Sequence, residues 1–584
     1  HSLRLHGREH GRPSLASRAA AQSCLRADLE FPPGGAWEAD GCVFVNGLAG
    51  RRSDGAYGRS ALLPQGRAIL RGCDLESDLE PSHQDPDTSE FDEAVIEKHA
   101  ELVPCEQATK ALQPVDRALS APVCSVDSNQ KSSRQALRIY EWARVGLVLL
   151  ELRVKEWAAY DSRVLRFIVG AVAYCLARLS LFVKPAAAYG VLFRLHRSDI
   201  SSSVSGLVES LVEEGLSSPS SALSTFLASR PAAVTVTPVT KRFFENPERL
   251  LGARVLVTKS PRDREKGLVC IDYNYTFPLF ARLFDVERIK QRYHILLEPS
   301  WSGYCDPDIL CYATFHSPVF VQAFEPRDLA FVKRATNLLP VPVAGNWWVD
   351  HRIFVPLSGV EKQFDIVMVA GWGAYKRHSR FFAALARLRR QGHRPRVLLL
   401  GYPVSWTKEH VLQQAKYFGV ADQLEVREKV PYEQVNALVN QARIHVLWSR
   451  KEGIPRAVVE CMLANVPSIV RDKLNYGHRY EFVNPSTGAF ATEESLPGAI
   501  LELLERSSEM RPREWVMENM SCQRATSILD ATIRQFERSQ GNEWTESPVV
   551  KVRQLNSMAY WDAADAERFA PDYEWLLSVR NAAT

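Results

Sequence analysis

The stretch RIHVLWSRKEGIPRAVVECMLANVPSIV (443–470) decides how the rest of the chain is read. Ile444 to Leu447 is a short apolar run, Trp448 to Ile454 is polar and contains a glycine, and Pro455 suits a first helical turn, where its missing N–H costs nothing. Val458, Val459, Met462 and Leu463 recur at helical spacing, Ala464-Asn465 closes the helix, and Val466 to Val470 reads as the next strand. The stretch is therefore one β–loop–α–turn–β unit. Glu452 falls in its loop and Glu460 in its helix, eight positions on.

Both carboxylates reach the crevice at the C-terminal edge of a parallel sheet, where open α/β folds bind ligands. A carboxylate accepts two sugar hydroxyls at once. The helix N-terminus between the two offers free N–H groups and a positive dipole end to a diphosphate. The chemistry suits a sugar nucleotide. The plainer reading is a helix with an acidic start and a surface Glu, and spacing by itself leaves both open.

The surrounding residues resemble the E-x7-E signature of retaining GT-B glycosyltransferases, especially glycosyltransferase family 4. Its usual form, S-x-x-E-G-F-G-x-x-x-x-E, stands here as Ser449, Glu452, Gly453, Ile454, Pro455 and Glu460, with Pro455 in place of the second Gly. A second mark is GNWWVDHRIFVP (345–356). Its Asn346, Val349, Asp350, Phe354 and Pro356 resemble the family's hinge motif, with one extra residue between Asn and Val. The resemblance covers about residues 250–540.

The resemblance implies an α/β fold of two Rossmann-like domains facing a cleft. Glu452 would contact the transferred sugar and Glu460 the donor ribose. The backbone of Gly453 and Ile454 would face the sugar or phosphate. Lys376 falls on the family lysine that neutralises the departing diphosphate, but the family arginine five residues earlier is Gly371 here. Arg377 or Arg450 is expected to substitute, because a guanidinium fork suits phosphate oxygens. On the acceptor side Glu298, Trp301 and Tyr304 are candidates for a sugar subsite. Metal is not expected in the family's reaction, no cofactor is implied, and the donor is a nucleoside-diphosphate sugar. Asp306-Pro307-Asp308 is a poor metal motif because of its proline.

The activity so implied is retaining transfer of a hexosyl unit to a hydroxyl of a glycan or lipid-linked acceptor, as in polysaccharide biosynthesis. Two rivals stay open: a sugar-nucleotide-binding GT-B protein without turnover, and a GT-B sugar-nucleotide epimerase. No G-x-S-x-G elbow or Walker loop is present.

Composition narrows the class further. The 584 residues have room for more than one domain. A net charge of +4 gives no argument for nucleic acid as a partner. The 11 cysteines are scattered without a C-x-x-C pair, which fits a reducing, cytoplasmic setting. The chain begins with His1, and its first residues lack the apolar core of a signal peptide.

Five segments follow from the pattern. Residues 1–130, with the acidic run EPSHQDPDTSEFDE (80–93), bury too little apolar surface to order, apart from a short helix near 93–103. Residues 131–245 are a helical segment and linker. Within them 132–196 reads either as a packed helical hairpin or as an amphipathic segment on the cytoplasmic face of an anionic membrane; Arg166 and Arg178 argue against 164–183 as a true span. Ser/Ala/Pro-rich 198–245 reads as linker with one helix at 203–214. Residues 246–350 and 351–510 alternate between strand and helix patterns as acceptor-side and donor-binding domains, with 278–293 reading as one amphipathic helix and DILCYAT (308–314) as a strand. In 511–584, one helix at 513–539 crosses back and a Trp/Tyr-bearing tail runs along the surface.

Overall fold

The computed structural model describes residues 128–581 except 239, 302, 473, 475–477 and 555–556. The extension 1–127, with its expected disorder and its short helix near 93–103, lies outside the described residues.

The first sheet has the order β1 (Val255–Lys259), β2 (Gly267–Asp272), β3 (Tyr293–Glu298), β4 (Val319–Gln322), β5 (Leu338–Val341). Only the β1–β2 pair is antiparallel. Alternate side chains enter different layers, as the pleat requires. Val257, Val269, Ile271, Ile295 and Val319 face one apolar layer; Leu256, Leu268, Cys270, Leu296 and Phe320 face the other.

Several sequence expectations shift in this half. DILCYAT (308–314) is not a strand: Pro307–Leu310 is helical and Cys311–Thr314 a 3₁₀ turn. Asp306 caps that helix, accepting from the Asp308 N–H at 2.8 Å, so a local side-chain bond overrides the apolar run. The single helix expected over 278–293 is two, Thr276–Leu283 and Val286–Arg292, because Asp285 caps a new start by accepting from the Arg288 N–H. Residues 198–245 are no linker. Helices Ser202–Leu216 and Ala222–Ala228 bury Val208, Val212, Leu223 and Leu227 in the first layer.

The second sheet is parallel throughout, in the order β11 (Gly488–Ala491), β10 (Ser468–Arg471), β9 (Ala442–Leu447), β6 (Phe364–Val369), β7 (Val397–Gly401), β8 (Leu424–Glu428). Helices cover both faces, so its strands read as near-continuous apolar runs. The chain winds one way through β6, β7 and β8, then returns to β9 beside β6 and winds the other way. The switch point of the sheet is thus the β6–β9 junction. There two adjacent strands send their following loops apart and leave a crevice.

The helix expected over 513–539 breaks at Ser521, whose hydroxyl caps a second helix by accepting from the Arg524 N–H. That second helix, Cys522–Ser539, packs Leu529 and Ile533 against the outer layer of the first sheet. The tail after it is not superficial. A two-stranded ribbon, β12 (Lys551–Arg553) and β13 (Met558–Tyr560), and helix Ala570–Ser578 bury Val552, Phe569 and Leu576 in the first half. Its charges go inward too: Lys551 and Arg553 are almost fully buried. They meet Glu298 and Asp272 at 2.8 Å each.

Ahead of both sheets, helices Ser128–Glu156 and Arg163–Ser180 form an arm joined by the tight π turn Trp157–Asp161. The first helix rests on the second half, where Trp142 stacks on Tyr417 at 5.1 Å. The second sets Gly170 against Ile200 and Val204 of the first half. Among the described residues no helix is long and apolar enough to cross a membrane.

Candidate active site

The loops after β6 and β9 hold the predicted donor residues, and they flank the switch point. Lys376 closes a 3₁₀ turn, Ala374–Lys376, after β6; Glu452 lies in the loop after β9. The backbone ties the loops together, since the Arg450 N–H donates to the Tyr375 carbonyl at 2.6 Å. Across this seam Lys376 Nζ donates to Glu452 Oε1 at 2.6 Å, with both side chains largely buried. Burial opposes the ammonium, but the Glu452 carboxylate outweighs it, so the lysine pKa lies above its ordinary value. Lys376 is a fixed cation.

Glu460 projects from helix Arg456–Leu463, which Pro455 precedes rather than opens. Asn465, in the left-handed region at φ 60°, ends that helix, as the Ala464-Asn465 reading expects. Glu460 is buried and accepts from the Tyr432 hydroxyl at 3.4 Å. Burial raises its pKa.

Gly453 marks a close approach between the two halves. A Cβ there would lie 2.3 Å from the Ser300 carbonyl oxygen and 2.6 Å from Trp301 Cα, both backbone atoms of the other half. Beside it, a cavity of about 20 Å³ is lined among others by Tyr304, Glu325, Asn346, Gly453, Ile454 and Tyr480. That is room for about one water molecule, against the several hundred Å³ a ligand pocket needs. A larger depression of about 270 Å³, around Asp263, Arg288 and Trp575, lies at the opposite, N-terminal ends of β2 and β3.

The two arginines expected to complete the phosphate clamp point elsewhere. Arg377 has a left-handed backbone (φ 57°) and a buried guanidinium. It donates to Glu156 of the arm at 3.1 Å and also pairs with Glu493. Arg450 pairs with Asp161 at 3.0 Å and sits over the Tyr160 ring at 4.4 Å. The arm engages both, through the end of its first helix and through its turn. No arginine fits at 371 either: a Cβ there would already meet Val404 at 2.8 Å and Tyr402 at 3.1 Å. Side chains of the loop after β7 fill the space beside Gly371.

On the other side of the cleft, Tyr304 lines the cavity and Trp301 carries the Arg197 guanidinium on its ring at 4.1 Å. Their loop is held by Asp328, whose carboxylate accepts from the Gly303 and Tyr304 N–H groups at 2.8 Å each. Glu298 is not brought to that subsite. It ends β3 facing inward, 2 % exposed, against Lys551 of the tail. Asp306 and Asp308 are also engaged, one as a helix cap and the other with Arg230, whose Nε lies 3.2 Å away.

Sequence reasoning missed three groups. Glu325 caps helix Pro326–Arg334 beside the cavity, and burial, then the neighbouring Asp328, push its pKa up to about 7. Asn346 is almost fully buried at the cavity, and its amide has no hydrogen-bond partner among the described residues. The hinge motif flags that residue, though not its role. Tyr432, which orients Glu460, had no signal at all.

Residues 351–518 match the family model described as glycosyl transferases group 1. No curated protein sequence matches the chain. Solved structures of similar topology include a sucrose-phosphate synthase from Thermosynechococcus elongatus, at 15 % identity over 47 % of this chain and 74 % of that one, TM-score 0.36. Another is TarM, at 13 % identity over 46 % of this chain and 54 % of its own, TM-score 0.37. A third is the pneumococcal O-GlcNAc transferase GtfA in complex with UDP and GlcNAc, at 13 % identity over 44 % and 55 %, TM-score 0.34. This chain thus spans about half the length of the last two. With its two facing α/β sheets the protein has the GT-B fold, and residues 351–518 of its second half carry the match to group 1 glycosyl transferases.

Proposed function

We propose that the protein is a retaining, family 4-type hexosyltransferase that takes a sugar from a nucleoside diphosphate and gives it to a hydroxyl of a glycan or lipid-linked acceptor, in a cytoplasmic setting. The Lys376–Glu452 pair at the switch point carries the reading. In the closed cleft each neutralises the other. When the halves part and a donor enters, the diphosphate takes the place of Glu452 on Lys376. Glu452 is then released toward the sugar, where a carboxylate steadies positive charge developing at the anomeric carbon. Glu460, steered by Tyr432, accepts the ribose hydroxyls. Asn346 gains the partners that a buried amide needs. Closure then excludes the water that would hydrolyse the donor.

Tyr402 and Val404 over Gly371 favour a second reading, a sugar-nucleotide-binding GT-B protein without turnover, because half of the family's phosphate clamp is absent. A thermal-shift screen with UDP-, GDP- and ADP-sugars, with and without EDTA, tests the donor site beside Glu460→Ala. A shift by one donor that EDTA spares and the variant loses supports the site. Transfer assays with that donor then separate the two readings.

A further inference from the structure

We propose that the arm helix Arg163–Ser180, with the turn that follows it, is a docking surface for an anionic lipid bilayer. The helix is inside out by the usual standard. The residues it buries against the protein are small, Gly170 and Ala177, while its large apolar side chains face away. Val164 is 70 % exposed, Leu176 60 % and Leu179 67 %. Phe182 and Val183, just beyond, are 91 % and 78 % exposed. Val164, Ile168, Val172, Leu176 and Leu179 recur at three- and four-residue spacing and so form one continuous stripe. Scattered apolar residues on a surface need no explanation; a contiguous stripe of this kind marks a contact.

Charge decides the occupant. From Ser162 to Ser198 the chain has Arg163, Arg166, Arg178, Lys184, Arg194 and Arg197, and neither Asp nor Glu. Arg163, Arg178, Lys184 and Arg194 are exposed. A second copy of this helix would bring like charges together. Anionic headgroups complement them, with the apolar stripe sunk to the acyl boundary and the cations at the interface. The helix lies on the bilayer and does not cross it. The turn at its start, Trp157–Asp161, touches Arg450, so the bilayer would rest beside the donor loop.

The test is sedimentation of the full chain with vesicles, without any sugar nucleotide, so its result is separate from the transferase reading. Vesicles of phosphatidylcholine alone are compared with an equimolar mixture of phosphatidylcholine and phosphatidylglycerol. Binding is expected on the mixture, about tenfold or more above phosphatidylcholine alone, and weaker at high salt. Ile168→Glu with Leu176→Glu, both at exposed positions, should lower it about tenfold with an unchanged melting curve. Arg178→Glu with Lys184→Glu should do the same on the mixture only. Three outcomes overturn the proposal: no binding to either vesicle, full binding by the apolar double variant, or a dimer in sedimentation equilibrium that this variant dissolves.

Discussion

Glu452→Gln probes the switch-point pair most sharply. Lys376 and Glu452 keep only 14 % and 13 % of their side-chain surface in water. Breaking a fully buried pair by removing one partner costs about 3–5 kcal/mol, and partial exposure brings this to about 2–3 kcal/mol. The melting midpoint should fall by roughly 5–10 °C. Binding of the nucleoside diphosphate should not fall with it. The variant ammonium no longer has to leave a carboxylate, so the diphosphate binds as well as before or better, while transfer is lost. Lys376→Ala should instead weaken that binding about tenfold to a hundredfold, the worth of a charge-assisted contact. Calorimetric titration, melting curves and a transfer assay on wild type, both single variants and the double variant read binding, stability and turnover in turn. The reasoning is refuted if Glu452→Gln loses diphosphate affinity as much as Lys376→Ala does. It also fails if the stability effects of the two simply add, since a real pair must couple.

Three other outcomes follow from the same geometry. Gly453→Ala puts a methyl group against the backbone of Ser300 and Trp301. It should cost about 1–3 kcal/mol if the halves stay together, and should abolish the closed state if they do not; small-angle scattering with donor present distinguishes these. Glu325 has a folded pKa near 7, above the ordinary carboxylate value. Folding therefore loses stability as pH rises from about 4.5 to 7, by up to about 3 kcal/mol, and Glu325→Gln should raise the melting midpoint at pH 8 but not at pH 5. For Glu156, burial raises the pKa but Arg377 and Arg380 win, so it lies below the ordinary range. Its pairing is intact above the unfolded carboxylate value and is lost as pH falls through the folded one. Hydrogen exchange in helix Ser128–Glu156 should speed up in that acidic window, and in Glu156→Gln at neutral pH.

How much of this was legible in the chain depends on the range of the forces involved. Residues 443–470 could be read correctly because strand, loop, helix and cap are decided by neighbours a few residues apart: the apolar run into β9, the helical spacing of Val458 to Leu463, and Asn465 in its left-handed cap. The alternation through 364–506 gave the parallel sheet in the same way, since strands buried on both faces must be apolar throughout. Breaks made by one capping hydrogen bond, at Asp285 and Ser521, escaped, because each is worth little against a long helical pattern until the helix has somewhere to pack.

The candidate site divides along the same line. Its residue types, Lys376, Glu452, Gly453 and Glu460, stand in the motif. The fate of the remaining charges was decided by chain segments hundreds of positions away. Arg377 and Arg450 went to Glu156 and Asp161 of the arm, and Glu298 to Lys551 of the tail. Gly371 was closed off by Tyr402 and Val404. A motif records which groups are present, because local backbone geometry demands them. A buried charge takes whichever opposite charge folding brings within about 3–4 Å, and only the tertiary structure chooses that partner.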